Sequence, residues 1–351
     1  MRRLLLRFAL PCGVLIPLLL TACAGSRSGH IPAPTLTWAT TGTEALIIGL
    51  DAAPDGRVVW ASGAAGTWLR SPDAGTMWTA GNVPGTDTLQ FRDVEAFGPR
   101  EAVVLSIGPG AASRLYRTDD GGRSWSNVWV NDHPEAFFDC MAFEGARGFA
   151  FSDAVPVEGG PRTRLPVIET SDAGRTWTEG LSPEGRPGEG GYASSGTCAL
   201  AFDGRRYVVT NGGDGPDRLL VYDGGRWTAR TLPVRSDDGA RGAATLARSG
   251  GGLVVGLLGE IDSVTVLRGP TDVGVWRPLG QTTIRRIYGL AASSDGERLV
   301  AVGPDGLDVS ADGGRTWQHL TDDNLWTATA LPDGSFLVGG MRGRIGRVAW
   351  W

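Results

Sequence analysis

The side chains able to carry out chemistry are restricted in type. All 33 basic residues of this chain of 351 residues are arginines. The absence of lysine excludes Schiff-base chemistry and a Walker-type phosphate loop. Histidine occurs only as His30, His133 and His319, which is too few for a multi-histidine metal site or a histidine-driven triad. We therefore assign no catalytic residue, no metal ligand and no cofactor from the sequence.

Aspartate recurs in a fixed setting. Four phrases, over residues 71–78, 118–125, 170–177 and 310–317, read Ser/Thr-x-Asp-x-Gly-x, then Thr, Ser or Met, then Trp, and shortened relatives span 222–227 and 271–276. A repeated carboxylate could bind calcium or act in catalysis. Each one, however, has its own turn to stabilise: Asp accepts turn N–H groups, Gly supplies a positive φ and Trp packs beneath. We interpret all six as structural: Asp73, Asp120, Asp172, Asp223, Asp272 and Asp312.

The spacing of these phrases indicates the architecture that positions them. Their tryptophans, at 78, 125, 177, 227, 276 and 317, are 47, 52, 50, 49 and 41 residues apart, which is typical of four-stranded propeller blades. Inner-strand segments are predicted over residues 45–52, 91–97, 138–143, 196–202, 243–247, 287–292 and 326–331. The sequence thus predicts an all-β, seven-bladed β-propeller with Asp-box hairpins. Residues 36–41 are predicted to pair with the C-terminal strand and close the ring.

Polar and aromatic side chains occur at the start of these inner strands, where the loops of a propeller converge on a funnel. Arg92, Arg241 and Arg286 come from different predicted blades and could together hold one carboxylate or phosphate. Alternatively, each arginine pairs with a local acid or lies on a solvated rim. The candidate residues for binding a ligand or partner are Arg92, Asp93, Asp139, Ser195, Arg241, Arg285, Arg286, Tyr288 and Trp326.

Composition narrows the class of protein. With 54 Gly and 21 Pro but 41% hydrophobic residues, the chain has material for a core, and its glycines fit turns better than disorder. Removal of residues 1–22 leaves 30 basic and 38 acidic side chains, a formal charge of −8. This acidic balance argues against nucleic acid as a partner. We expect a monomer that binds a protein or another cell-envelope component.

The N-terminus has the form of a processing signal. Three arginines precede an apolar stretch over residues 8–20, followed by small residues. The phrase LTAC ending at Cys23 resembles the lipobox of bacterial lipoproteins, which implies that Cys23 is diacylated and becomes the mature N-terminus. An uncleaved anchor or a plain secretory signal is the alternative. The predicted organisation is a signal peptide over 1–22, a lipidated tether over 23–35 and a propeller over 36–351. Ala24 after the cysteine implies the outer membrane, facing the periplasm.

The four full phrases and their spacing give the chain a family resemblance. With the phrases FRDVEAF (91–97), VLSIGPG (104–110) and FFDCMAF (137–143), residues 36–351 resemble the bacterial Asp-box (BNR) repeat proteins related to the photosystem II stability and assembly factor family, whose propeller resembles that of sialidases. The resemblance implies a fold more than an activity, because Asp-boxes mark blade turns. It favours a non-catalytic binding or assembly scaffold. The alternative is an exo-acting, sialidase-like glycosidase on an anionic sugar, but no Phe/Tyr-Arg-Ile-Pro phrase occurs between Cys23 and Ser71.

Two further cysteines lie in the predicted propeller. Cys140 and Cys198 are on or beside the inner strands of the third and fourth predicted blades, and an exported protein folds in an oxidising compartment. They are predicted to form a disulfide, although their positions relative to Phe143 and Phe202 leave open whether the two side chains face one another.

Overall fold

The computed structural model describes residues 33–192, 194–234, 241–261 and 263–350. The segment 1–32, with the predicted signal peptide and Cys23, lies outside the described residues. The regular secondary structure of the described chain consists of strands and three short 3-10 turns, so the predicted all-β class is confirmed. Among these residues, no helix has the length and apolar composition that crossing a bilayer requires.

Most strands pair with their neighbours in sequence, as antiparallel sheets. The chain begins with β1 (Pro34–Ala39) and then forms sheet 1, which contains β2 (Ile47–Ala52), β3 (Val59–Gly63), β4 (Thr67–Ser71) and β5 (Thr79–Asn82). Sheet 2 contains β6 (Gln90–Ala96), β7 (Ala102–Ile107), β8 (Arg114–Thr118) and β9 (Ser126–Val130).

The next two sheets are accompanied by additional short strands. Sheet 3 contains β10 (Phe138–Glu144), β11 (Arg147–Ser152), β14 (Val167–Thr170) and β15 (Thr178–Glu179). A small sheet beside it is formed by β12 (Val155–Pro156), β13 (Thr163–Arg164) and β16 (Glu184–Gly185). Sheet 4 contains β17 (Glu189–Gly190), β18 (Ala199–Phe202), β19 (Arg205–Gly212), β20 (Arg218–Asp223) and β21 (Arg226–Thr231).

The last three sheets return to four strands each. Sheet 5 contains β22 (Gly242–Ser249), β23 (Gly252–Ile261), β24 (Val264–Pro270) and β25 (Arg277–Pro278). Sheet 6 contains β26 (Gly289–Ala292), β27 (Leu299–Gly303), β28 (Gly306–Ser310) and β29 (Gln318–Thr321). Sheet 7 contains β30 (Leu325–Ala330), β31 (Phe336–Gly340), β32 (Ile345–Trp350) and, as its outermost strand, β1.

The two ends of the described chain meet in sheet 7. β1 runs antiparallel to β32 from Pro34 opposite Trp350 to Ala39 opposite Ile345. The Thr35 hydroxyl donates to the Ala349 carbonyl oxygen at 3.3 Å, across 314 residues of sequence. The first strands of the seven larger sheets, counting β18 in sheet 4 because β17 has only two residues, also contact one another in chain order. The contacts run from β2 through β6, β10, β18, β22 and β26 to β30, which contacts β2 again.

Sequence patterning explains which strands lie inside. The second strands, such as β3, β7 and β31, are buried along nearly their whole length and consist of apolar and small residues, because both of their faces are covered. Outer strands such as β21 alternate in exposure, as expected for strands with one solvated face. Tryptophans fill the spaces between sheets: Trp125 packs edge-on against Trp60 with ring centroids 6.0 Å apart.

A disulfide joins sheets 3 and 4 in the structure. Cys140 lies on β10, and Cys198 ends a short 3-10 turn over Gly196–Cys198 just before β18. Their Cα atoms are 6.0 Å apart and both residues are fully buried. This separation lies within the range that a disulfide spans.

Candidate functional site

A β-bulge recurs near the start of the first strand. In five of the described sheets the register shifts there by one residue, which leaves Ile48, Arg92, Asp139, Ala244 or Trp326 unpaired. A bulge bends the strand and redirects the side chain of the extra residue. Three of the five bulged residues carry a charged group or a large aromatic ring. The bulges therefore present functional groups at one end of the molecule.

A cavity of about 320 Å³ lies at this end, and we call it the end cavity. Arg92, Asp139 and Trp326 line it, and the residues after them on β6, β10 and β30 line the central channel, a second cavity. The end cavity therefore lies where the first strands begin. Its remaining walls are formed by Ile107, Phe137, Asp153, Gly191, Tyr192, Ser194 and Tyr288.

Arg92 and two aromatic rings form one wall of the end cavity. The Arg92 guanidinium carbon lies 5.2 Å from the Trp326 ring centroid, and Trp326 packs edge-on against Tyr288 with centroids 4.9 Å apart. Arg92 Nη2 donates to Gln90 Oε1 at 3.1 Å, while Arg92 Nε is buried and meets no acceptor among the described residues. Burial lowers the pKa of Arg92, because it disfavours the charged form. The wall thus presents a buried donor.

Two carboxyl groups form another wall. Asp139, only 1% exposed, lies beside Asp153 in the wall of the end cavity. Burial, reinforced by the Asp153 charge, raises the pKa of Asp139 well above its usual range. Burial also raises the pKa of Asp153 to about 6, and the Gly191 N–H partly offsets the rise at both groups. Two carboxyls in this arrangement share one proton and carry one negative charge near neutral pH. Asp139 Oδ2 and Asp153 Oδ1 are buried and have no hydrogen-bond donor within reach in the part of the chain that the structure describes.

Asp93 and Ser195, two of the predicted funnel residues, form hydrogen bonds to the backbone and do not line the end cavity. The Asp93 carboxylate accepts the Val94 and Met141 N–H groups, each at 2.8 Å, so it ties β6 to β10. Burial raises the pKa of Asp93 well above its usual range. The Ser195 hydroxyl donates to the Tyr288 carbonyl oxygen at 2.7 Å. Both polar groups are satisfied by the chain itself, so neither is available to a ligand.

The three arginines that were expected to converge do not meet at the end cavity. Arg92 lines it, but Arg241, Arg285 and Arg286 are exposed and are not among its lining residues. Arg286 pairs with Asp305 at 3.0 Å. The reason is local: β22 and β26 begin after these arginines, at Gly242 and Gly289, so no strand bulge turns the three side chains inward.

Sequence reasoning missed Asp153, Phe137 and Tyr192. Asp153 follows β11, whereas only the starts of inner strands had been considered. β10 and β11 are antiparallel, with Phe138 opposite Ser152, so the end of β11 returns to the start of β10. A residue that directly follows a second strand is therefore also a candidate for the cavity, and this rule identifies Asp153.

The central channel, of about 360 Å³, is lined by the first strands of all seven larger sheets in the described chain. Asp51, Asp93 and Glu95 bring three carboxyl groups to it. Burial raises the pKa of all three, that of Asp51 to about 7 and that of Glu95 well above its usual range. Asp51 Oδ2 accepts the Ala96 N–H at 2.8 Å. Among the residues that the structure describes, no group of three His, Cys, Asp or Glu side chains is arranged to hold a metal ion.

The repeated aspartates stabilise turns. In the four full phrases, the Ser or Thr hydroxyl donates to the Asp carboxylate at 2.8–3.0 Å, and the same hydroxyl accepts the N–H of a Gly. Hydrogen bonds from the Ser124 hydroxyl and N–H lower the pKa of Asp120 to about 2. The two shortened phrases differ, because Asp223 and Asp272 both pair with Arg205, at 2.8 and 2.6 Å.

This architecture of small antiparallel sheets arranged around a channel is that of a β-propeller. No protein-family model and no curated protein sequence matches the chain. It is similar to the solved structure of YCF48 bound to D1 peptide, with 16% identity, a TM-score of 0.58, and coverage of 90% of this chain and 98% of that one. YCF48 from Cyanidioschyzon merolae matches at 15% identity over 89% and 98% of the two chains, with a TM-score of 0.58. Streptogramin B lyase matches at 13% identity over 91% and 98%, with a TM-score of 0.63. The expected resemblance to the photosystem II assembly-factor propellers is thereby confirmed at the level of the fold.

Proposed function

We propose that this protein is a non-catalytic binding module that holds a short segment of a partner protein in the end cavity. One observation carries the proposal. Side chains from three sheets, Arg92, Asp139 and Trp326, are turned by bulges into one cavity, where a buried donor and buried acceptors lack partners in the described chain. Buried polar groups are normally satisfied, so a cavity that leaves several of them open is suited to a ligand that completes them.

A protein of similar fold provides a precedent for binding of this kind. YCF48 was solved with a D1 peptide bound. A propeller of this size is therefore compatible with recognition of an extended chain. The partner proposed here is a protein of the cell envelope.

The alternative, an exo-acting glycosidase, finds less support. Glycosidases place their two carboxyl groups roughly 5–9.5 Å apart, so that a sugar carbon or a water fits between them. Asp139 and Asp153, the carboxyl pair of the end cavity, instead lie side by side.

We further propose that the seven larger sheets are the blades of a seven-bladed propeller, closed by the pairing of β1 with β32. The predicted lipid on Cys23 would hold this propeller at the outer membrane, facing the periplasm. A monomer on a tether presents the end cavity to proteins in the same compartment. The pairing in sheet 7 and the cyclic contacts of the first strands support the closure.

Capture of the partner from native envelopes tests the binding function. Purified protein is cross-linked to solubilised envelope proteins, and captured proteins are quantified by mass spectrometry. Arg92→Ala and Trp326→Ala should each reduce capture of the same partner at least tenfold, because they remove a buried donor or an aromatic wall. Arg248→Ala is the matched control, since Arg248 is exposed and pairs with Asp203 at 3.2 Å outside the end cavity. Equal capture by all variants would refute the function.

A further inference from the structure

We propose that the end cavity binds the free amino terminus of a partner polypeptide. The inference rests on the proposed binding function and specifies the group that is recognised. Three buried atoms without a hydrogen-bond partner in the described chain define it: Arg92 Nε as a donor, and Asp139 Oδ2 and Asp153 Oδ1 as acceptors. Each belongs to a residue lining a cavity that four aromatic residues also line.

The carboxyl pair selects a cation that donates hydrogen bonds. Holding one proton between them, Asp139 and Asp153 together carry one negative charge at largely buried positions. An α-ammonium group offers three N–H donors and one positive charge. The faces of Tyr192, Tyr288 and Trp326 are further favourable surfaces for a cation.

Arg92 selects the acceptor next to the ammonium group. Arg92 lowers the pKa of Asp139 through its charge but is not hydrogen-bonded to it, so the two groups are near but separate. In a peptide, the first carbonyl oxygen lies about 3 Å from the terminal nitrogen. An amino terminus bound to the pair can therefore accept a hydrogen bond from Arg92 Nε with that oxygen. A lysine side chain has no such acceptor, and a carboxylate would meet the negative pair.

The volume fits the end of a chain. At about 320 Å³, the end cavity lies at the small end of the roughly 300–1,000 Å³ of small-molecule sites. It can hold the first residues of a peptide but not a folded element. The first side chain would then pack against Phe137 or the aromatic wall.

Binding should depend on pH in both directions. The other charged or titratable groups that line the cavity around the carboxyl pair are Arg92, Tyr192 and Tyr288. As the pH falls through the pKa of Asp153, about 6, the pair gains a second proton and loses its charge, so affinity falls about tenfold per pH unit. As the pH rises above about 8, the α-ammonium group loses its proton. Affinity is therefore highest near pH 7.

The probe is a library of randomised pentapeptide amides without lysine, arginine or histidine, so that the α-ammonium group is the only cation. Peptides retained by the full-length protein are identified, and the tightest binder is titrated calorimetrically beside its N-acetylated form. We expect acetylation to weaken binding at least thirtyfold and Asp139→Asn to weaken it at least tenfold. Asp203→Asn removes an exposed carboxylate elsewhere and should leave binding unchanged.

Several outcomes overturn the inference. Equal binding of the acetylated peptide, or retention of no peptide at all, would do so. If Asp139→Asn fails to fold, the pH profile of the unaltered protein decides, and a profile without an acid limb near pH 6 rejects the inference. The binding function is judged separately: it stands if Arg92→Ala and Trp326→Ala still abolish capture of the envelope partner, and it falls if they do not.

Discussion

At the scale of single residues, buried carboxyl groups set the character of both cavities. Asp51 in the central channel has a pKa of about 7, raised chiefly by burial and only partly offset by the N–H groups of Ala96 and Ala52. A carboxyl whose pKa is raised on folding stabilises the fold least when the pH is high, because the folded state must then ionise a buried group. Its destabilising effect grows as the pH rises from about 4 to about 7.

We predict that Asp51→Asn stabilises the protein at high pH. The asparagine oxygen can still accept the Ala96 N–H, but no charge is buried. The free energy of unfolding should be almost unchanged at pH 4 and should rise by about 2–4 kcal/mol at pH 8. Chemical denaturation at both pH values measures this. Asp203→Asn, at an exposed ion pair, is the control, and an equal gain at both pH values would contradict the prediction.

Much of the end cavity was predictable at this scale. Arg92, Asp139, Tyr288 and Trp326 were identified from their positions at strand starts, and all four line it. The bulges that turn three of them inward could not be predicted, because a one-residue register shift depends on how two strands pair and not on either strand alone. The same limit explains why Arg241 and Arg286 were placed in the cavity and Asp153 was not.

At the scale of elements, the repeated turns are the main local structures. In the third phrase, the Asp172 carboxylate accepts the Thr170 hydroxyl and the N–H groups of Arg175 and Thr176. Trp177 donates from Nε1 to the Gly174 carbonyl oxygen at 3.1 Å and packs edge-on against Phe143. Trp177 is partly buried and packs against the core beside Phe143.

We predict that Trp177→Ala destabilises the fold without affecting the end cavity. The loss of a half-buried ring and its hydrogen bond should lower the free energy of unfolding by about 2–4 kcal/mol. Thermal and chemical denaturation measure the loss, and peptide or partner binding at low temperature should be unchanged. A fall in binding with no change in stability would show that the turn has a functional role.

The sequence predicted four of the six turns well and two poorly. The full phrases have a hydroxyl two residues before the aspartate, and this hydroxyl bonds both the carboxylate and a glycine N–H. The shortened phrases lack a hydroxyl at that position, so Asp223 and Asp272 take Arg205 as their partner instead. Arg205 lies in another part of the sequence, which is why phrase matching could not find it.

At the scale of the whole molecule, a lipid anchor on Cys23 is predicted from the sequence alone. Cys23 lies outside the described residues, so its modification stays a prediction. We expect Cys23→Ser to leave an unprocessed precursor that takes up no labelled fatty acid. Metabolic labelling and gel mobility measure both effects. Normal processing and labelling of the variant would exclude the anchor.

The composition of sheet 7 also affects when the protein can complete its folding during synthesis. Among the described strands, its outermost strand, β1, is the first to be synthesised, and the partner of β1, β32, is the last. A contact between residues so distant in sequence forms late, because closing a long loop costs entropy and both segments must be present. A chain released too early lacks β32, so β1 stays unpaired and sheet 7 is incomplete. We expect such fragments to expose strand edges and be degraded, so the pairing of first and last strands distinguishes complete chains from incomplete ones.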